Sequence, residues 1–257
     1  MHSLKPVFSI LLLLIFSVDG FSQDNYEIQV YGSQTMNKGK TMLELHSNFT
    51  IAGIKETDDG TIPTHHALHE TFEITYGFNS WFEVGFYIFT SNTPAEGFSW
   101  VGDHIRPRVR IPEEWKWPVG LSLSTEFGYQ QRAYSTDSWT WEIRPIIDKT
   151  FFEKLYCCFN PAVDRSFKGV NVNAGFTFSP NAKISYKITP VIIPGIEYYG
   201  SLGPFSGFDM IQKQQQQIVT CLDLNVSPDW ELNFGALIGV TNATDKMIIK
   251  IIAGRRF

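Results

Sequence analysis

Between His104 and Ile111 the chain reads HIRPRVRI, and its alternate side chains have opposite chemistry. Ile105, Pro107, Val109 and Ile111 share one parity, while His104, Arg106, Arg108 and Arg110 share the other. A period of two is that of a β-strand, whose successive side chains point to opposite faces. Three guanidiniums on one strand face cannot sit in a dry core unless each is paired, so that face meets water or carboxylates. Acidic residues on the polar parity of other segments could supply them: Glu44, Glu73, Glu83, Glu126 and Glu142, the last followed two positions later by Arg144. His46, His69, Glu197, Asp223 and Lys250 belong to the same set. Such a constellation has two uses. It can set the charge selectivity of a passage, or pair across a narrow interior and fill it.

Catalysis and metal binding find less support. Enzymes built on lipid-embedded barrels place a serine and a histidine on the outer wall, where the lipid substrate is reached. Here His46, His69 and His104 all lie on the polar parity, and Ser47, on the opposite one, has no histidine beside it on that face. No enzyme is expected. His65 and His69 share a strand parity but would lie about 13 Å apart at roughly 3.3 Å per residue, too far to chelate one ion together with His66. Neither a metal nor a cofactor is expected. Cys157 and Cys158 are adjacent and point to opposite faces, and Cys221 is remote in sequence, so the cysteines read as packing residues.

The elements that position these groups are long strands. In Leu68 to Phe89 (LHETFEITYGFNSWFEVGFYIF), Phe72, Ile74, Tyr76 and Phe78 alternate with Thr71, Glu73, Thr75 and Gly77; after Asn79-Ser80 the pattern resumes with Phe82, Val84, Phe86 and Ile88. Two strands of about ten residues joined by a tight polar turn make an antiparallel hairpin, and that length suits a tilted strand crossing a bilayer. The same alternation recurs in Thr41 to Ile51, Val119 to Tyr129, Trp139 to Asp148, Leu155 to Val163, Val170 to Phe178, Val191 to Tyr199, Ile218 to Val226, Glu231 to Val240 and Lys246 to Phe257. Ser91 to Gly102 reads as a polar loop, residues 179–190 (SPNAKISYKITP) as a short non-strand excursion, and Gly200 to Gln217, with its glutamine tract, as a surface loop. Connections alternate between short ones (after Phe78, Ile111, Ile147 and Val226) and generally longer ones.

Composition permits this. Of 257 residues 43% are hydrophobic and 15% aromatic, and a net charge of -5 gives no reason to expect a nucleic-acid partner. A mean hydropathy of -0.10 looks soluble, as it does for transmembrane barrels, whose lipid-facing and lumen-facing residues cancel in the average. Residues 1–22 read as a signal peptide: Lys5, an apolar core from Val7 to Val18, and Gly20-Phe21-Ser22 before Gln23. Residues 23–40 read as a periplasmic N-terminal segment. Residues 41–257 read as an all-β unit, a transmembrane antiparallel up-and-down β-barrel of about 12 strands, with short turns at the periplasmic rim and longer loops outside. A secreted β-sandwich is the competing architecture; it would bury Phe72, Phe86, Val109 and Phe176 together and turn Arg108 outward.

Three stretches carry a family likeness: Tyr76 to Gly85 (YGFNSWFEVG), Gly195 to Gly200 (GIEYYG) and the ending Lys250 to Phe257 (KIIAGRRF). They resemble the transporter-like outer-membrane β-barrels of Gram-negative bacteria, among them a type named for phenol degradation. The resemblance spans most of residues 26–257 and implies a porin-like barrel in the cell outer membrane, a monomer in contact with outer-membrane lipids. It also implies that Phe257 is the C-terminal aromatic read by the barrel-assembly machinery. Passive passage or binding of a small solute is the expected function, with Arg106, Arg108, Arg110, Arg144 and the carboxylates above as selectivity elements. A structural barrel with a salt-bridged lumen and a lipid-modifying enzyme are the alternatives.

Overall fold

A computed structural model describes residues 25–56 and 60–257, so the expected signal peptide lies outside the described residues. The thirteen strands are β1 (Thr41–Ala52), β2 (Leu68–Asn79), β3 (Phe82–Thr93), β4 (Gly97–Arg110), β5 (Gly120–Gln130), β6 (Asp137–Phe151), β7 (Leu155–Gly169), β8 (Phe176–Tyr186), β9 (Ile192–Ser201), β10 (Gly203–Pro204), β11 (Gln215–Leu224), β12 (Trp230–Gly239) and β13 (Met247–Arg256). Each of the others pairs antiparallel with its neighbours in chain order, and β13 pairs with β1, closing the sheet. The two-residue β10 prolongs the line of β9 along β8, so the wall is a closed barrel of twelve strands. Thr41 and Phe257 seal the seam by exchanging backbone hydrogen bonds of 2.8 and 3.3 Å.

The apolar parity faces outward. Phe72, Phe86, Ile105, Val109, Leu123, Ile184 and Ile196 are exposed, while Arg108 is buried, the reverse of what a sandwich core would require. A band of exposed phenylalanine, leucine, isoleucine and valine around a closed sheet has acyl chains as its solvent, because closure leaves no backbone group unpaired at membrane depth. No helix among the described residues is long and apolar enough to cross a membrane; the crossing elements are the strands. This is a membrane-spanning barrel.

Several boundaries differ from the sequence reading. Residues 179–186 form most of β8, and the expected strand from Val170 gives way to a turn that ends at Gly175, whose φ of +81° is in the left-handed region. Pro180 argues against a ladder position when met alone, yet it faces Pro161 across the β7–β8 pair, where neither proline needs to donate. The inward face of β8 is Thr177, Ser179, Asn181, Lys183 and Ser185, and the outward parity opposite it is weakened by Pro180 and Ala182. Residues 91–102 are mostly strand rather than loop, with only Pro94 to Glu96 between β3 and β4. The connection after Ile111 is longer than expected and carries a 3₁₀ turn at Glu113–Trp115. The glutamine tract is not a loop either: Gln215 and Gln217 begin β11 and point inward, buried.

The largest correction concerns the N-terminal segment. Expected to lie outside the barrel on the periplasmic side, its described residues run through the barrel interior. Asn25 donates to Asp245 in the β12–β13 loop (2.7 Å), at the rim of long loops. Gly39 and Gly77 hydrogen bond at the opposite rim of short turns, where the chain reverses into β1.

Candidate functional site

The interior is built from the polar parity of the strands and from this threaded segment. Tyr26, Glu27, Ile28, Val30, Tyr31 and Ser33 are buried. From the long-loop rim downward the wall holds the segment's backbone. Asn48 and Thr71 donate to the carbonyls of Asn25 and Tyr26 (2.8 and 2.7 Å). Lys250 donates to the Ile28 carbonyl (2.9 Å). Asn160 both accepts from the Tyr31 N–H (2.9 Å) and donates to its carbonyl (3.0 Å). Arg108 donates to the carbonyls of Gly32 and Gln34 (3.1 and 2.8 Å), Asp148 accepts from the backbone and hydroxyl of Ser33 (2.6 and 2.9 Å), and Glu83 accepts from the Met36 N–H (2.5 Å). Each of these bonds from the backbone of residues 25–36 reaches a wall side chain, and backbone pairing with a strand begins only at Gly39, so the segment is a plug and not an extra strand. Apolar contact supplements this: Ile28, Val30 and Tyr31 pack with Ile146, Tyr199, Val219, Leu237 and Ile248. At Gly77 a Cβ would stand 2.4 Å from the Asn37 carbonyl oxygen, so glycine is needed for the plug's close passage.

Most of the charged residues expected to line the lumen are brought into three groups. Toward the short-turn rim, Arg106 pairs with Glu73 (2.6 Å) and Glu83 (3.2 Å), and Arg108 with Glu83 (2.5 Å). Arg106 also donates to Tyr87, whose hydroxyl lies 3.3 Å from that of Tyr31. Beside the plug, His104 meets Glu126 (2.5 Å) and Arg144 meets Glu142 (2.6 Å). Arg106, Arg108 and Arg144 all lie over the Tyr31 ring, at 5.0, 5.9 and 4.8 Å from its centroid, so one plug aromatic is held by three guanidiniums. Across the lumen, Glu197 pairs with Lys250 (2.5 Å) and Lys183 (3.1 Å), and Lys183 reaches Asp223 (2.8 Å). Lys183 escaped the sequence reading because β8 did. Arg110 stands apart at the short-turn rim, pairing with exposed Glu113 (2.8 Å) and holding that carboxyl below its ordinary range.

Glu44, on β1, lies beside His46 and Glu73, their ligating atoms all within 4.8 Å of one another. His65 and His66 instead stack on each other in a loop, and His69 packs edge-on against Tyr26. Ser91 does meet His69 (3.5 Å), but both are buried, not on the lipid-facing wall, and among the described residues no carboxylate orients the ring. The cysteines form no disulfide: Cys158 is buried and donates to the Tyr31 carbonyl (3.1 Å), Cys221 is buried, and Cys157 alternates with Cys158 on the other face. Between plug and wall lies a cavity of about 380 Å³. Gln29 and Gln34 of the plug face Glu44, Glu73, Arg106, Arg108 and Arg256 of the wall across it.

No family model matches the chain, and no curated protein matches its sequence. Solved structures do match in fold. An outer membrane channel from Pseudomonas putida F1 aligns over 90% of this chain and 100% of its own at a TM-score of 0.59 and 8% identity. The NanC porin aligns over 82% and 97% at a TM-score of 0.57 and 9% identity. For the KdgM porin the figures are 84%, 99%, 0.55 and 8%. At such identity the likeness is one of architecture, that of an outer-membrane barrel.

Proposed function

We propose that the chain is a monomeric outer-membrane channel for a small solute, closed in this conformation by its own residues 25–37 and opened when they leave the lumen. The observation that carries the reading is the way the plug is held. Its backbone bonds go to wall side chains, and water can replace each partner, at a net cost of about 0.5–1.5 kcal/mol per ordinary hydrogen bond. The barrel wall is closed independently by its own ladders, so it does not need the plug to remain intact. The fold shared with channels and porins supports the same reading.

With the plug withdrawn, Arg106, Arg108 and Arg144 line the passage beside Glu83, Glu126 and Glu142, and their balance sets the preferred ion sign. The finer kinship with barrels of the phenol-degradation type belongs to this proposal, so phenol is one solute to offer in liposome uptake. Phe257, last on the closing strand, is the proposed assembly signal. A second reading, a permanently closed structural barrel, is favoured by the pairing of Arg106, Arg108 and Arg144 with carboxylates.

Planar-bilayer recording separates the two. The full chain is expected to conduct rarely, and a variant lacking residues 25–36 to conduct steadily, with its ion preference moved toward cations by Arg108→Ala. Absence of steps from a truncated barrel that still shows the heat-dependent gel shift of a folded one would leave the closed reading. Equal conductance with and without the segment would remove the plug's role.

A further inference from the structure

The polar cluster formed by Glu44, His46 and Glu73 leaves four buried side-chain atoms without a hydrogen-bond partner among the described residues. Glu44 and Glu73 are direct cross-strand partners in the β1–β2 ladder, and like charges opposite each other destabilise a sheet. His46 is two residues along β1 on the same face, and its side chain is fully buried. Neither ring nitrogen of His46 has a hydrogen-bond partner among the described residues, nor has Glu44 Oε1 or Glu73 Oε2. Buried polar atoms are nearly always partnered, so four orphans at one spot call for something between them.

Counting charge gives the same direction. Glu231 is matched by Arg256, and Glu73 and Glu83 are matched by Arg106 and Arg108. Among the described residues no ion pair reaches Glu44, so the group holds one carboxylate more than its paired cations match.

We propose that Glu44, His46 and Glu73 bind a divalent transition-metal cation, zinc or a zinc-like ion, on the lumen wall. The His46 Nε2 to Glu73 Oε2 distance of 3.6 Å is too long for a hydrogen bond. It is close to the edge of a coordination tetrahedron, roughly 3.4 Å for ligands about 2.1 Å from the ion. One imidazole and two carboxylates, without a thiolate, suit zinc, cobalt, iron or manganese in their divalent states. The carboxylate of Glu73 is already oriented for coordination, because its Oε1 accepts from Arg106 (2.6 Å) and Thr75 (2.5 Å), which leaves Oε2 turned to the cluster. Glu44 and Glu73 also border the 380 Å³ cavity, from which water or a solute donor can complete the coordination. All three ligands are on the wall and none on the plug, so the site stands whether or not the barrel conducts.

The full-length protein, stripped by a chelator in detergent, is titrated with Zn²⁺ by calorimetry and with Co²⁺ by visible absorption. One ion per chain is expected, with Co²⁺ bands intensified over those of the aqueous ion. His46→Gln and Glu44→Gln should each weaken Zn²⁺ binding by at least about tenfold, the lower end of what even outer-sphere changes produce at metal sites. His69→Gln, a change at another buried lumen histidine, should leave it unchanged. Glu44→Gln removes no ion pair, so the barrel is expected to fold, as its heat-dependent gel mobility would show. Failure of the folded wild-type chain to take up one equivalent of Zn²⁺, or uptake unaltered in both ligand variants, would overturn the site.

Discussion

Arg108 is where wall and plug are most directly joined, and Arg108→Ala should release the plug without unfolding the barrel. Its guanidinium makes two hydrogen bonds to plug carbonyls, Gly32 at 3.1 Å and Gln34 at 2.8 Å, and one ion pair to Glu83. Glu83 keeps Arg106 and the Met36 N–H as partners after the change, so no carboxylate is left alone. Hydrogen bonds from a charged donor contribute about 1.5–3 kcal/mol each. Allowing for water entering the gap, about 3 kcal/mol of plug attachment is lost. At about 1.4 kcal/mol per factor of ten, the population with the plug displaced rises roughly a hundredfold. The chain carries its own reporter, because the buried Cys158 thiol lies behind the plug and donates to the Tyr31 carbonyl. In a Cys157→Ala, Cys221→Ala background, a cationic thiol reagent should modify Cys158 at a rate proportional to the displaced population, so the rate should rise about a hundredfold. Arg256→Gln, which breaks a half-exposed rim pair with Glu231, removes no plug bond. Exposed pairs contribute about 0–1 kcal/mol, so that control should change the rate less than about fivefold. A rate in Arg108→Ala within about threefold of the parent, or matched by Arg256→Gln, would refute the account of how the plug is held.

Glu197→Gln should destabilise the barrel by about 3–5 kcal/mol in urea unfolding, because it strips a carboxylate from between two buried ammonium groups, Lys183 and Lys250; a loss below about 1 kcal/mol would mean that water reaches that group. Phe86→Arg, in the middle of β3 on the exposed face, should cost about 2–4 kcal/mol in lipid, against about 0–1 for Phe78→Arg near the short-turn end of β2. Equal costs, measured by equilibrium unfolding from vesicles, would contradict the depth assigned to the apolar band.

The wall was legible because parity is local. In HIRPRVRI the inward and outward sets separate within eight residues, and the structure keeps those assignments from His104 to Arg110, where β4 ends. Where the outward face is interrupted by a proline and a small residue, as at Pro180 and Ala182 in β8, alternation loses contrast and the strand reads as an excursion. Which wall residues meet is not a local property. Glu44 faces Glu73 only because β1 and β2 pair in that register, and a slip of one residue would turn Glu73 to the lipid face. His46 was therefore visible as a lumen residue but not as a neighbour of two carboxylates. The plug carried a partial signal: Tyr26, Ile28 and Val30 alternate like a strand. Nothing in that pattern distinguishes a segment paired in a sheet from one threaded through it, since the difference lies in what accepts the backbone hydrogen bonds.

Wall and plug solve one packing problem between them. An eight-stranded barrel is filled by its own inward side chains, and a porin of 16–18 strands leaves a channel of water. Twelve strands give an interior that side chains do not fill, yet one narrow enough that Lys250 on β13 reaches Glu197 on β9, three strands away around the wall. An extended chain is the right width for the remainder, and it brings unpaired backbone donors and acceptors that a set of charged side chains can satisfy. Arg108, Lys250 and Asn160 each serve in this way, binding plug carbonyls while keeping a wall contact or neighbour of their own. The ionised interior is thus what accepts the plug, and it is also what would confront a solute once the plug has gone. A barrel filled with leucine in place of Arg106, Arg108 and Arg144 could close as tightly, but it would offer an ion no reason to enter after opening.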